Sequence, residues 1–395
     1  MLPSPPMIRR TDARRACIGA LTVLLAACAT RSPSPAPAPP TQAPATTPPP
    51  SAVNPPASST VLPLPDAATL AAARAAFVRD TSARFDIPAA DIERVLAQAT
   101  LRESIVNAMA RPAEAKPWRD YRPIFITDAR IRGGREFLAA HRDALMRVQA
   151  RTGVPAEIIV AILGVETSFG ANTGRHRVLD ALYTLAFAYP RTGDPARAER
   201  EARRAAFFRD ELAQLFALQR ETGFDIAALT GSYAGAMGWG QFMPSSYRNY
   251  AVDGDGDGRR DLFASLDDVF ASVANYFVLK GGWQPGAPVA VRATMAPGSA
   301  DWRPDGLENV YTLDALAARG FTPAQPIVAP SPATVIRLEG AQGLEHWIGF
   351  QNFYAITRYN ISAHYAMAVF QLAEAIAGRD VTAPPAPPPT GSPAA

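Results

Sequence analysis

Cysteine is nearly missing from this 395-residue chain, which has two, Cys17 and Cys28. Cys17 falls in a stretch with the marks of a cleaved leader, so the expected mature chain forms no internal disulfide. Lysine occurs only at Lys116 and Lys280, leaving arginine as nearly the whole basic complement. A long apolar leader run is missing too: Ile18 to Ala27 has ten residues, where a membrane-spanning helix takes about 20. A large excess of charge is also absent. The whole chain carries +3, but residues 1–27 hold four arginines and one aspartate, so the remainder is near neutral. That excludes the basic surface of a nucleic-acid binder. Internal repeats and heptads are absent as well.

What is present begins with a leader. Arg9, Arg10, Arg14 and Arg15 precede the apolar run, and Leu25, Ala26, Ala27 and Cys28 resemble a bacterial lipobox. Residues 1–27 are therefore expected to be a secretory signal cleaved before Cys28, with that cysteine lipidated; a start at Met7 would only shorten the basic region. Ala29, where aspartate would favour retention, points to the inner leaflet of the outer membrane, facing the periplasm. From Ala29 to Pro65 the chain has 13 prolines in 37 residues, with Ala, Ser and Thr between them. Such a segment has almost nothing to bury and is expected to be a disordered tether of on the order of 100 Å. Residues 381–395 have the same composition and the same expectation.

Between these lies a body, residues 66–380, long enough for a large core. Helical periodicity covers Ala67 to Asp80, Ala89 to Leu101, Ile131 to Arg151 and Pro195 to Glu221, with Asp66 and Asp86 at cap positions. After Trp283 the period changes. Val289 to Met295, Ala333 to Glu339 and Glu345 to Phe350 read as short strands between Pro and Gly turns. The predicted fold is mainly α, of α+β type: a helical body with a small β-rich lobe after about residue 283.

Three stretches carry chemistry. Ile158 to Val165 is apolar on every side, reads as a helix buried all round, and ends at one carboxylate, Glu166. Its apolar neighbours Ile162 and Leu163 should desolvate that carboxyl and raise its pKa, as a general acid for glycosidic cleavage requires. Gly164 and Gly170 would leave room for a bulky ligand. The residues alone leave a second reading open, an ion pair of Glu166 with Arg175 or Arg177. The next stretch, GSYAGAMGWGQFMPSSY from Gly231 to Tyr247, has small residues that let backbone approach a ligand, polar Ser232 and Gln241, and aromatic Tyr233 and Trp239. It could equally be a helix junction. The third, DGDGDGRRDLFA, places Asp253, Asp255, Asp257, Arg259 (through its carbonyl) and Asp261 at EF-hand positions 1, 3, 5, 7 and 9, with Gly258 at the turn. Position 12, normally an acid, is Ala264. Asp267 and Asp268 lie too far along the chain to be assumed as substitutes.

GVETSFG around Glu166, LDALYTLAFAYPR to Arg191, the Gly231 block, SVANYF at Ser272 to Phe277 and YNISAHYAMAV at Tyr359 to Val369 together resemble the membrane-bound lytic murein transglycosylase B family, over about Asp66 to Ala377. The resemblance implies a lysozyme-like helical catalytic core. It also implies non-hydrolytic cleavage of the β-1,4 bond between N-acetylmuramic acid and N-acetylglucosamine in peptidoglycan, leaving 1,6-anhydro ends. Glu166 matches the acid/base; Ser232 and Gln241 match polar residues of the cleft; Tyr276, Tyr359, Asn360 and Tyr365 match its wall. Tyr121, in WRDYRPIF, and Arg191 match further cleft residues, with Thr192 where a second basic residue is expected. A single EF-hand-like calcium site is implied at the Asp253 loop, and no cofactor for catalysis. Expected partners are peptidoglycan glycan strands and, through lipid, a membrane, with cell-wall synthesis or secretion machinery beyond them and a monomeric chain. A hydrolytic muramidase and a non-catalytic wall-binding lipoprotein are the alternative readings.

Overall fold

The computed structural model describes residues 62–110, 116–300, 302–328 and 332–380. The leader, Cys28, most of the tether and the tail lie outside the described residues. Asp66 opens the fold as anticipated. Its carboxylate accepts from Thr69 N at 2.7 Å and starts α1 (Ala67–Phe85), which Asp86 closes at φ 52°. Leu62, inside the expected tether, already donates its N–H to Arg191 O at 2.7 Å, so contacts of the body begin before residue 66.

Helices α2 (Ala89–Leu96), α3 (Glu103–Ala110), α4 (Trp118–Phe125), α5 (Asp128–Ala140), α6 (Arg142–Thr152) and α7 (Ala156–Thr167) follow. The single helix expected over 131–151 is two, separated at His141, which closes α5 and begins α6. The chain then forms β1 (His176–Arg177), α8 (Val178–Phe187), α9 (Pro195–Thr222), β2 (Thr230–Gly231), α10 (Pro244–Tyr250) and α11 (Leu266–Leu279). The helix expected to reach Leu101 stops at Leu96 because its continuation is drawn onto α8. Buried Asp180 accepts from Thr100 N at 3.0 Å and from Arg102 Nη2 at 2.8 Å, while Arg102 N donates to Thr184 Oγ1. Tertiary partners outweigh local propensity here.

The lobe contains β3 (Ala290–Met295), α12 (Leu313–Ala317), β4 (Phe321–Pro323), β5 (Thr334–Gly340) and β6 (Gly343–Gly349), and the chain returns to the body through α13 (Gln351–Tyr359) and α14 (Ala363–Ile376). The sheet is antiparallel in the order β4-β3-β6-β5. Strand alternation gives it two buried faces. Ile336, Leu338 and Trp347 join the core of the helical body, whereas Val335 and Ile348 pack with Leu316, Phe321 and Phe350 in a second core. Helix α7 lies at the centre of the body, covered by α5, α6, α11 and α14, which is why it is apolar on every side. Among the described residues no single helix is long and apolar enough to cross a membrane.

Candidate active site

Helix α7 delivers Glu166 in its last turn and then stops abruptly. Ser168 at φ 51° and Phe169 at φ 59° are successive left-handed residues, each costing on the order of 1–3 kcal/mol. Surrounding contacts hold that turn. Phe169 N donates to Leu163 O at 3.0 Å, Arg130 Nη2 donates to Ser168 Oγ at 3.2 Å, and the Phe169 ring stacks on Phe137. Thr167, fully buried, shares its hydroxyl proton between Trp239 O at 3.1 Å and Leu163 O at 3.2 Å and accepts from Gly170 N at 3.0 Å. The two glycines leave no open space for a ligand, contrary to expectation: Phe169 and Leu372 fill the volume beside Gly164, and the Trp239 indole fills that beside Gly170.

Glu166 is 6% exposed, and its Oε1 accepts from the Tyr365 hydroxyl at 2.5 Å. Burial pushes its carboxyl up to about 7, with the Tyr365 hydrogen bond pulling the other way. Near neutral pH the protonated and ionised forms are therefore both populated. The phenols of Tyr121, Tyr359 and Tyr365 are raised above their usual range, by burial first and then by the Glu166 charge. They surround the acid with neutral donors. Arg177 is engaged elsewhere, with Ala227 O at 3.0 Å and Asp180 at 3.2 Å, and Arg175 is exposed. Among the described residues Glu166 has no ion-pair partner, so the ion-pair reading fails.

The other expected residues divide into two groups. Tyr359 donates to Gly240 O and Tyr276 to Arg358 O, both at 2.6 Å, and their rings lie 5.0 Å apart against Phe242. Asn360 follows α13, and its buried Oδ1 has no hydrogen-bond partner among the described residues. Ser232 and Gln241 brace the glycine-rich block. Ser232 Oγ accepts from Ala236 N at 3.0 Å, and Gln241, at φ 51°, donates to Thr173 O at 3.1 Å and Gly238 O at 3.0 Å. With the β1–β2 pairing of His176 to Gly231, these bonds bring the block beside the loop that leaves α7. Arg191 is exposed beyond the end of α8 and joins none of these contacts. Its neighbour Thr192 hydrogen bonds Glu201 at 2.7 Å.

The aspartate loop is built differently from the expected pattern. Carboxylate oxygens of Asp253, Asp255 and Asp268 lie within 4.8 Å of one another. Asp257 and Asp261 lie outside that group of three; Asp257 accepts from Arg259 N and Asp261 from Phe263 N, both at 2.8 Å, just as Asp253 accepts from Gly256 N and Gly258 N and Asp255 from Asp257 N. Asp268 is buried in the first turn of α11 and accepts from Gly254 N and Asp261 N. Its carboxyl is raised by burial first, then by the charges of Asp255 and Asp253. Three hard oxygen donors with mutual repulsion suit calcium. Asp268 lies beyond the twelve-residue loop, yet it brings a carboxylate to this group where Ala264 offers none.

Residues 70–374 match the profile of the family described as Transglycosylase SLT domain. The chain belongs to this family. It is 44% identical over 296 residues to membrane-bound lytic murein transglycosylase B of Escherichia coli (strain K12), covering 72% of this chain and 77% of that relative. The crystal structure of soluble lytic transglycosylase SltB1 from Pseudomonas aeruginosa superposes with a TM-score of 0.70 at 45% identity, over 77% of this chain and 98% of that one. Escherichia coli lytic transglycosylase Slt35, solved in complex with calcium, gives 0.67 at 41% identity, over 77% of this chain and 92% of its own. For this family member, the residues that sequence reasoning passed over are Thr167, Arg130 and Asp268. Only Asp268 left a signal, the acidic pair at the start of α11.

Proposed function

We propose that this chain cleaves the β-1,4 bond between N-acetylmuramic acid and N-acetylglucosamine in peptidoglycan without consuming water, with Glu166 as both acid and base. The observation that carries the proposal is one buried carboxyl, pushed up to about 7 and ringed by neutral phenols, with no second carboxylate beside it among the described residues. Glycosidases that use water or a protein nucleophile need two carboxyl groups flanking the bond. Here protonated Glu166 gives its proton to the leaving O4 as the C1–O4 bond breaks. The C6 hydroxyl of the muramoyl unit then bonds to C1, and the Glu166 carboxylate takes the hydroxyl proton. The acid is regenerated and the product ends in 1,6-anhydromuramic acid. Tyr365 holds the carboxyl in place; Tyr121, Tyr276, Tyr359, Asn360, Ser232 and Gln241 form the wall against which the sugars lie. Product masses from digested sacculi test this: ends lighter by one water support it, and reducible ends favour the hydrolytic alternative.

Asp253, Asp255 and Asp268 would hold one calcium ion, which supplies structural charge neutralisation and no chemistry at the sugar. Residues 66–380 are the catalytic domain, and residues 28–65 tether it by an acylated Cys28 to the inner leaflet of the outer membrane. Lipid on Cys28 adds about 0.8 kcal/mol per buried methylene, so several chains hold the protein firmly. Cys28→Ala should move the protein to the soluble periplasmic fraction or block its processing; normal processing with unchanged membrane fractionation would refute the anchor.

A further inference from the structure

The aspartate loop and the end of α7 are joined through one residue. Trp239 donates its backbone N–H to Leu262 O and its indole Nε1–H to Phe263 O, both at 3.1 Å, so two bonds tie it to the far side of the loop that Asp253 and Asp268 bracket. On its other side the Trp239 carbonyl lies 3.1 Å from the Thr167 hydroxyl, sharing its proton with Leu163 O at 3.2 Å, and the Trp239 ring covers Gly170. Thr167 follows Glu166 directly and also takes Gly170 N, so it sets how α7 ends. The loop side is equally well defined. Asp268 accepts from Gly254 N at 2.7 Å and Asp261 N at 2.6 Å, the Asp261 carboxylate accepts from Phe263 N, and the Tyr247 hydroxyl sits between Arg260 O and Leu262 N. Leu262 O also presses on Gly238, leaving no room for a side chain beside Trp239.

We propose that Trp239 is a positioning residue through which occupancy of the Asp253, Asp255 and Asp268 cluster sets the placement of Glu166. This rests on the catalytic reading of Glu166 above. Without a cation the three carboxylates repel across the loop mouth; with one, Asp253 and Asp255 are drawn to Asp268, and residues 260–263 are fixed where Trp239 binds them. The strained Ser168–Phe169 turn needs such support, because its left-handed residues are disfavoured on their own. Loosening it displaces Glu166 relative to the sugar, and small displacements of a catalytic group are costly in rate.

The test uses the whole chain, with calcium alone as the probe. Tryptophan emission is followed as calcium is added to chelated wild type, Trp239→Phe and Asp255→Asn. kcat and KM on soluble glycan strands are measured with calcium and with chelator, below the melting temperature of each form. The expected result is an emission change in wild type that Trp239→Phe loses while still binding calcium by calorimetry. Chelation should lower wild-type kcat on the order of tenfold or more with KM nearly unchanged. Trp239→Phe should show a smaller dependence on calcium, and Asp255→Asn should remain at the chelated kcat with no emission response. A wild-type kcat indifferent to chelation, an emission change that survives in Trp239→Phe, or no calcium binding would overturn the proposal. If calcium-loaded wild type forms no anhydro product, the catalytic reading fails instead, and the emission measurements still decide the coupling.

Discussion

Glu166 holds two opposed influences in one side chain. Burial raises its carboxyl to about 7, and the Tyr365 hydrogen bond favours the ionised form. The balance matters for the proposed reaction, in which the same group would donate a proton in one half and accept one in the other, as a pKa near the working pH serves best. Above about 7 the acid form is depleted, so the rate should fall on the alkaline side. Tyr365→Phe removes the interaction that lowers the carboxyl pKa, and the alkaline limb of its pH–rate profile should move to higher pH, with kcat reduced as the carboxyl loses its anchor. A limb displaced to lower pH would show that the hydrogen bond does not favour the carboxylate.

At the scale of elements, α9 and α10 meet at a second buried carboxyl. Glu211 accepts from Ser245 N at 2.9 Å and Ser245 Oγ at 2.6 Å, so it occupies the amino-terminal turn of α10, and burial pushes it up to about 7 despite those bonds. Between the ordinary value of 4.5 and about 7 the folded chain keeps a proton at Glu211 that the unfolded chain releases. Stability is therefore lost as pH rises through that window. Glu211→Gln should remove part of that loss, on the order of 1–3 kcal/mol, when denaturant unfolding at pH 5 and pH 8 is compared with wild type. An identical pH dependence in both proteins would mean that Glu211 titrates normally. Much of the element pattern is legible in the sequence: the all-round apolar run marks α7 as buried, and alternation between turn residues marks three strands of the lobe. The break at His141, the early end of α2 and the short β4 were not legible, because long-range contacts decide them. Glu166 could be read as an acid from its apolar neighbours. The bracing roles of Thr167 and Gln241 could not, since each depends on a backbone carbonyl, Trp239 O or Thr173 O, brought in from elsewhere in the chain.

Across the whole molecule, α7 is supported from three directions: α14 brings Tyr365, α13 ends at Tyr359 and Asn360, and the glycine-rich block carries Trp239 against Thr167. The aspartate loop lies behind that block. An ion bound only by the folded chain stabilises it by mass action, about 2.7 kcal/mol at a hundredfold excess over Kd. Millimolar calcium should therefore raise the melting temperature on the order of 5 °C, and Asp253→Ala should abolish the rise. A melting curve unaffected by calcium or chelator would refute the site.

The central claim, that one buried acid opens the glycan without water, is tested most directly by digesting sacculi in ¹⁸O-labelled water and weighing the products. Wild type should release muropeptides with 1,6-anhydro ends, resistant to borohydride and free of label. Glu166→Gln, folded and still bound to the wall, should lose at least about 10²-fold in rate because an amide is too weak an acid to protonate the leaving oxygen. Labelled, reducible ends from wild type, or undiminished cleavage by Glu166→Gln, would contradict the account.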